Sequence, residues 1–267
     1  MNSKTLLGLP LMLTLVAAGC GGSAPAPAPQ GQEQPKPSGG NAASAIDPAT
    51  VASIKGKITF EGTAPANAPI KMNADPFCVS ANKTPQTQET YMVGKGGELG
   101  NVFVYISDGL GDRTFQAPTD PVVIDQQNCR YHPHVLGMMV GQPLQIVNSD
   151  GTLHNIHAIP TKNQEFNTGQ PIQGMKTDHV FTAAETMVPF KCDVHGWMNA
   201  YAGVLDHPYF AVSKPDGSFS IPNLPPGSYT LGAWHEKLGT QTLQVTVAAK
   251  ESKADANFTF KAAGGAN

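Results

Sequence analysis

The chain has 267 residues, a formal net charge of −3, and charged side chains at only 14% of positions. A surface so near neutrality offers no field for a polyanion, which argues against nucleic acid as a partner. The length admits one large domain or two small ones, and 28 Gly with 23 Pro point to many turns and at least one stretch that builds no core.

Taken from the start, residues 1–19 read as a secretory signal. Lys4 supplies the positive start, and residues 6–16 form an apolar run too short for a permanent span. Leu15-Val16-Ala17-Ala18-Gly19-Cys20 resembles a bacterial lipobox, so Cys20 is expected to carry lipid and become the mature N-terminus. Ordinary signal cleavage near the same place is the alternative. Gly21 rather than aspartate follows Cys20. The expected location is therefore the periplasmic side of a bacterial membrane, the outer one in a Gram-negative cell. Residues 20–50 are Pro-, Ala- and Gly-rich and read as an extended tether. The lipid anchor is the only membrane contact expected.

Strand patterns follow. Ile54-Lys55-Gly56-Lys57-Ile58-Thr59-Phe60 alternates apolar and polar residues, and Val102-Phe103-Val104-Tyr105-Ile106 is apolar throughout, as for a strand buried on both faces. Residues 63–100 read as loops, with one strand near Ile70. Short strands are expected at 121–124, 138–140, 144–148, 180–182, 187–190 and 202–205, with a hairpin across Ala183-Ala184-Glu185. Residues 216–221, 224–231 and 243–247 continue the pattern. No stretch shows a sustained helical period with caps, so the predicted class is all-β.

Two segments carry chemistry. Cys192-Asp193-Val194-His195-Gly196-Trp197-Met198 sets a thiol, an imidazole and a thioether within seven residues, and Leu153-His154-Asn155-Ile156-His157 supplies another imidazole. Two imidazoles, a thiolate and a weak thioether make the blue-copper ligand set, which suits Cu(I) and Cu(II) alike. Cys192 is placed where a buried strand ends at Val188-Pro189-Phe190. His154 must arrive from another strand.

At these residues the chain resembles the cupredoxins, in particular the amicyanin type with its short Cys-x2-His-x2-Met loop and His-Asn-x-His segment. The resemblance covers about a third of the chain. It implies a Greek-key β-sandwich over residues 120–206 holding one type 1 copper, with His154, Cys192 and His195 as equatorial ligands and Met198 as the axial one. It further implies that Asn155 hydrogen-bonds across the ligand loops to steady the Cys192 sulfur. Trp197 would lie on an apolar rim around an exposed His195 edge, where a redox protein partner docks. A second resemblance, to the transthyretin-like (carboxypeptidase regulatory-like) β-sandwich, rests on Asp216-Gly217-Ser218-Phe219, Leu224-Pro225-Pro226-Gly227-Ser228-Tyr229 and, far upstream, residues 55–60. It implies no peptidase chemistry. The simplest arrangement has residues 52–119 and 207–260 closing one sandwich around an inserted cupredoxin-like unit. Fusion through one shared core is the alternative.

The four cysteines can then be apportioned. With Cys20 lipidated and Cys192 on copper, Cys78 and Cys129 are expected to pair in an oxidising compartment. Alternatively, Cys129 joins His132 and His134, with Met138 and Met139 nearby, in a second copper site. The expected function is single-electron transfer by a protein that is not an enzyme. Copper storage or delivery, and a structural or interaction lipoprotein using its sandwich surface, stand as alternatives.

Overall fold

A computed structural model of the chain describes residues 46–262. The expected signal, lipidated Cys20 and most of the tether lie outside the described residues. Within them the chain is all-β apart from one six-residue helix, Pro76–Ala81, and no helix is long and apolar enough to cross a membrane.

The period-2 patterns become half-buried strands. Ala52–Glu61 turns Ile54, Ile58 and Phe60 inward, and Pro143–Asn148 buries every second residue. Two pairs of sheets result. In one pair, Ala52–Glu61 lies between Ser218–Leu224 and Ser252–Lys253 and also pairs in parallel with Phe258–Lys261. The facing sheet runs Phe210–Val212, Phe103–Asp108, Gly227–His235, Gly239–Val247. Ile54, Ile58, Val104, Tyr229 and Leu231 fill the core between them.

The second pair is built from the intervening chain. Its five-stranded sheet runs Phe166–Gln170, His154–Ala158, Glu185–Lys191, Asn199–Leu205, Val135–Met139. Its four-stranded sheet runs Lys176–Val180, Pro143–Asn148, Val122–Gln127, Arg130–His132. Ile124, Ile146, Ile156, Phe181, Val188 and Phe190 pack the core. The hairpin expected across Ala183-Ala184-Glu185 does not form. Lys176–Val180 and Glu185–Lys191 belong to opposite sheets, so that turn is an arch over the core.

The division expected at residues 52–119 needs another correction. The stretch with the short strands Pro69–Ile70 and Gln86–Thr87 and the helix Pro76–Ala81 leaves the first sandwich, and its Met72 and Cys78 join the core of the second. The helix start was encoded in Asp75-Pro76. Asp75 caps it by accepting the Phe77 and Cys78 N–H groups, and Pro76 occupies a first-turn position where no N–H is needed.

The sandwiches meet at a third apolar cluster containing Phe103, Val135, Met187 and Leu205, flanked by Tyr201, Phe210 and Trp234. Glycine permits the close approach: a Cβ on Gly203 would lie 2.3 Å from Cζ of Phe103. Gly203→Ala should therefore destabilise the protein by about 1–3 kcal/mol, the usual cost of overpacking. Urea unfolding measures this, and an unchanged midpoint would mean that Phe103 has room to retreat.

Candidate metal centre

Antiparallel pairing sets Lys191 opposite His157 and Phe190 opposite Ala158. This register brings the residues around His154 alongside the loop that begins at Cys192. The loop closes on itself: the Cys192 N–H donates to the Met198 carbonyl (3.1 Å), the Met198 N–H to the His195 carbonyl (2.9 Å), and the His195 N–H to the Cys192 sulfur (3.3 Å). Three donors converge. A ligand nitrogen from each of His154 and His195 and the sulfur of Cys192 all lie within 4.8 Å of one another, and all three residues are buried.

The two Nδ1 atoms stand 2.9 Å apart, with the His195 Nδ1 4.0 Å from the Cys192 sulfur. At that separation one proton bridges the two nitrogens as a hydrogen bond. A soft cation held by both nitrogens and the sulfur could take the place of that proton, so the donor set fits copper.

Each histidine is held from behind by a carboxylate. The Nε2 of His154 donates to Oδ2 of Asp150 (2.8 Å), and the Nε2 of His195 donates to Oδ2 of Asp75 (2.9 Å). These bonds fix which nitrogen of each ring faces the sulfur. Burial alone would lower the His154 pKa, but the hydrogen bonds to Asp150 and Cys192 outweigh it and lift it to about 9. Burial alone would raise the Cys192 thiol. Hydrogen bonds from His154 and His195, with the N–H groups of Asn155 and His195, bring it down to about 6. The metal-free site thus favours an imidazolium–thiolate pair near neutral pH, with the sulfur in its ligating form.

Asn155 spans the ligand loop. Its Oδ1 accepts the Asp193 N–H (2.7 Å) and the Val194 N–H (3.3 Å) and lies 3.2 Å from the Cys192 sulfur. Its Nδ2 donates to Asn167 (2.7 Å). Met198 is buried in the same core as Cys192. His157 turns away, held between Glu165 (2.6 Å) and Asp193 (3.0 Å).

Two expectations are corrected here, and the alternative of a second copper cluster falls to the expected Cys78–Cys129 pairing. His195 presents no open edge: it is only 3% exposed, covered by Asp75 and by Cys78, whose sulfur lies 3.7 Å from its Nε2. Trp197 is correspondingly half-buried rather than a free rim. Its ring packs 5.0 Å from His195 and its Nε1 donates to the Cys129 carbonyl (3.0 Å). The second cluster does not assemble. His134 is tied by Nδ1 to the Asn199 carbonyl (3.1 Å) and by Nε2 to Glu236 (2.6 Å), Met138 and Met139 are core residues, and Cys129 is joined to Cys78 in a disulfide. Sequence reasoning missed Asp75 and Asp150. Asp150 stands four residues before His154, a spacing with a meaning only once the turn between them is known. Asp75 is remote, and nothing local pointed to it.

Among known proteins, the family model described as polysaccharide lyase family 4, domain II, matches residues 181–255. No curated protein matches the chain. Among solved structures, a copper-containing nitrite reductase from Thermus scotoductus SA-01 is similar at 21% identity and a TM-score of 0.31, covering 37% of this chain and 25% of its own. An amicyanin variant in the Cu(I) form is similar at 21% identity and a TM-score of 0.28, covering 32% of this chain and 81% of its own. A purple cupredoxin from Nitrosopumilus maritimus is similar at 25% identity and a TM-score of 0.27, covering 32% and 97%.

Proposed function

We propose that this protein is an exported, lipid-anchored type 1 copper protein that passes single electrons between redox partners: a carrier, not an enzyme. The observation that carries the reading is the buried convergence of His154, Cys192 and His195. Bound there, copper would supply a one-electron couple for which soft sulfur and imidazole donors serve both oxidation states. The chain's own part is rigidity. Asp150 and Asp75 orient the imidazoles, Asn155 clamps the ligand loop, and the loop's internal hydrogen bonds hold Cys192 in place. Such a site has little to rearrange when charge changes, which is what electron transfer asks of it.

The cover over His195 changes where a partner would meet the site. Leu153, beside His154, and Val194, between Cys192 and His195, are 45% and 49% exposed. We assign the docking role to these side chains rather than to Trp197. Storage or delivery of copper drew on the His132–His134 region, where His134 is committed to Asn199 and Glu236 and Cys129 to a disulfide.

Met198, buried in the same core as Cys192, would supply the weak thioether donor. Copper-loaded protein should show an intense visible band from sulfur-to-copper charge transfer that bleaches reversibly on reduction. Met198→Leu should keep the band and shift the reduction potential, because a weak axial donor tunes potential rather than holding the metal. Optical spectra and voltammetry of the two proteins test this. A Met198→Leu protein with an unchanged potential removes Met198 from the ligand set, and wild-type protein without a visible band removes the copper reading.

A further inference from the structure

The candidate site is covered by a segment that lies outside the two pairs of sheets, although its Met72 and Cys78 reach the core of the second. Residues 69–89 lie across the ligand loop and the two turns beside it. Gln88 donates to the Trp197 carbonyl (3.0 Å), Asn82 donates to the Asn128 carbonyl (3.1 Å), and Glu89 pairs with Arg130 (3.3 Å). The Phe77 ring sits on Gly151, where a Cβ would come within 3.2 Å of it.

Beneath this strap the same arrangement occurs twice. Asp75 accepts from His195 through Oδ2, and its Oδ1 takes the Phe77 and Cys78 N–H groups (2.8 and 3.4 Å). Asp150 accepts from His154 and from the Cys129 N–H (2.7 Å) through Oδ2, and its Oδ1 takes the Asn128 N–H (2.8 Å). Each carboxylate therefore joins one ligand histidine to one half of the cystine, and the cystine Cys78–Cys129 links the halves. All four of Cys78, Cys129, His154 and His195 are buried. Asn128 and Cys129 hold left-handed conformations (φ 54° and 56°) in the tight turn between Val122–Gln127 and Arg130–His132. That pair of left-handed residues is the geometry of a type I′ turn, so the cystine is anchored in a defined turn rather than a slack loop.

We propose that the strap is a working part of the metal centre. The cystine braces both ligand imidazoles through Asp75 and Asp150, Asp75 is the positioning residue for His195, and the closed strap makes the site exchange electrons but not metal. The proposal rests on the copper reading for its last clause only. The brace and the cover concern residues of the metal-free protein as well.

The experiment compares full-length wild type with the Cys78→Ser/Cys129→Ser double variant. Serine is chosen so that no freed thiol can bind metal. In the metal-free proteins, diethyl pyrocarbonate modification is mapped by mass spectrometry. His195 should be protected in wild type and should react like an exposed histidine in the variant. In the copper-loaded proteins, transfer of copper to a chelator should be faster in the variant, by about the 10–100-fold that loss of an outer partner typically costs a metal site. Should the double variant fail to fold, Asp75→Ala with the cystine intact takes its place. It should also expose His195, and Asp75→Asn should do the same: its one oxygen can keep the helix cap, but its amide nitrogen then faces Nε2 where the second carboxylate oxygen accepted. Equal His195 protection in wild type and variant overturns the brace. Loss of protection in a protein that takes up no copper upholds the brace and overturns the copper reading instead.

Discussion

Cys192→Ser should abolish the visible band and the tight copper site together, while leaving the metal-free fold standing. Cys192 is 1% exposed, and its sulfur accepts the His195 N–H and lies against Asn155. A serine oxygen can accept the same N–H and donate to the same Asn155 oxygen, so near pH 5, where the thiol is protonated, metal-free stability should change by about 1 kcal/mol or less, the net scale of one hydrogen bond. The hydroxyl is a hard donor that does not ionise near neutral pH, and the imidazoles lose their soft partner. Copper affinity should fall by more than the about 10–100-fold associated with losing an outer partner. Copper titration followed by absorbance and paramagnetic resonance checks both effects. A variant that keeps the band would show that the sulfur is not a ligand.

The proposed donors of this site could be picked out of the chain because they cluster locally. Cys192, His195 and Met198 share one loop, and a Cys-x2-His-x2-Met spacing carries its chemistry without tertiary knowledge. His154 could be added because its neighbour Asn155 marks the same pattern. Strands with strict alternation, such as Ala52–Glu61 and Pro143–Asn148, were equally legible, since one buried face imposes period 2 on the residues. What could not be read were relations between distant segments. Val180 and Glu185 look like the two arms of a hairpin, yet which sheet each arm joins is decided by core packing and leaves no local trace. Asp75 is 120 residues from His195, and its neighbours signal a helix cap, not an imidazole partner. The burial of His195 follows from that same contact, so an open edge was the natural expectation from the ligand loop alone. The covering strap is rich in turn residues and reads as a loop, because its order comes from a cystine and a series of side-chain bonds rather than from periodicity.

The second large effect is expected at Asp150. Asp150→Ala should destabilise the metal-free protein by about 3–5 kcal/mol near pH 5.5, the usual cost of removing one partner of a buried ion pair. Three donors lose their acceptor at once: the His154 Nε2 and the N–H groups of Asn128 and Cys129. Both partners are inaccessible, with side-chain exposures of 4% for Asp150 and 0% for His154, so water cannot step in without opening the turn. The loss should depend on pH at both ends. Burial would raise the Asp150 pKa, but its hydrogen bonds to His154, Cys129 and Asn128 hold it below its ordinary value of 3.8. Its contribution is therefore present above that value and fades as pH falls through the lower folded value. The His154 pKa is lifted from 6.5 to about 9, so the contribution of its charge is complete below 6.5 and is lost as pH rises through about 9. The gap between wild type and variant should be widest between these limits and should narrow at pH 10, where the neutral imidazole keeps its hydrogen bond to Asp150 but not its charge. Urea unfolding of both metal-free proteins at pH 5.5 and pH 10 measures the two gaps. A gap that is the same at both values would mean that His154 carries no charge in the folded metal-free protein, and that Asp150 acts on it and on the turn through hydrogen bonds alone.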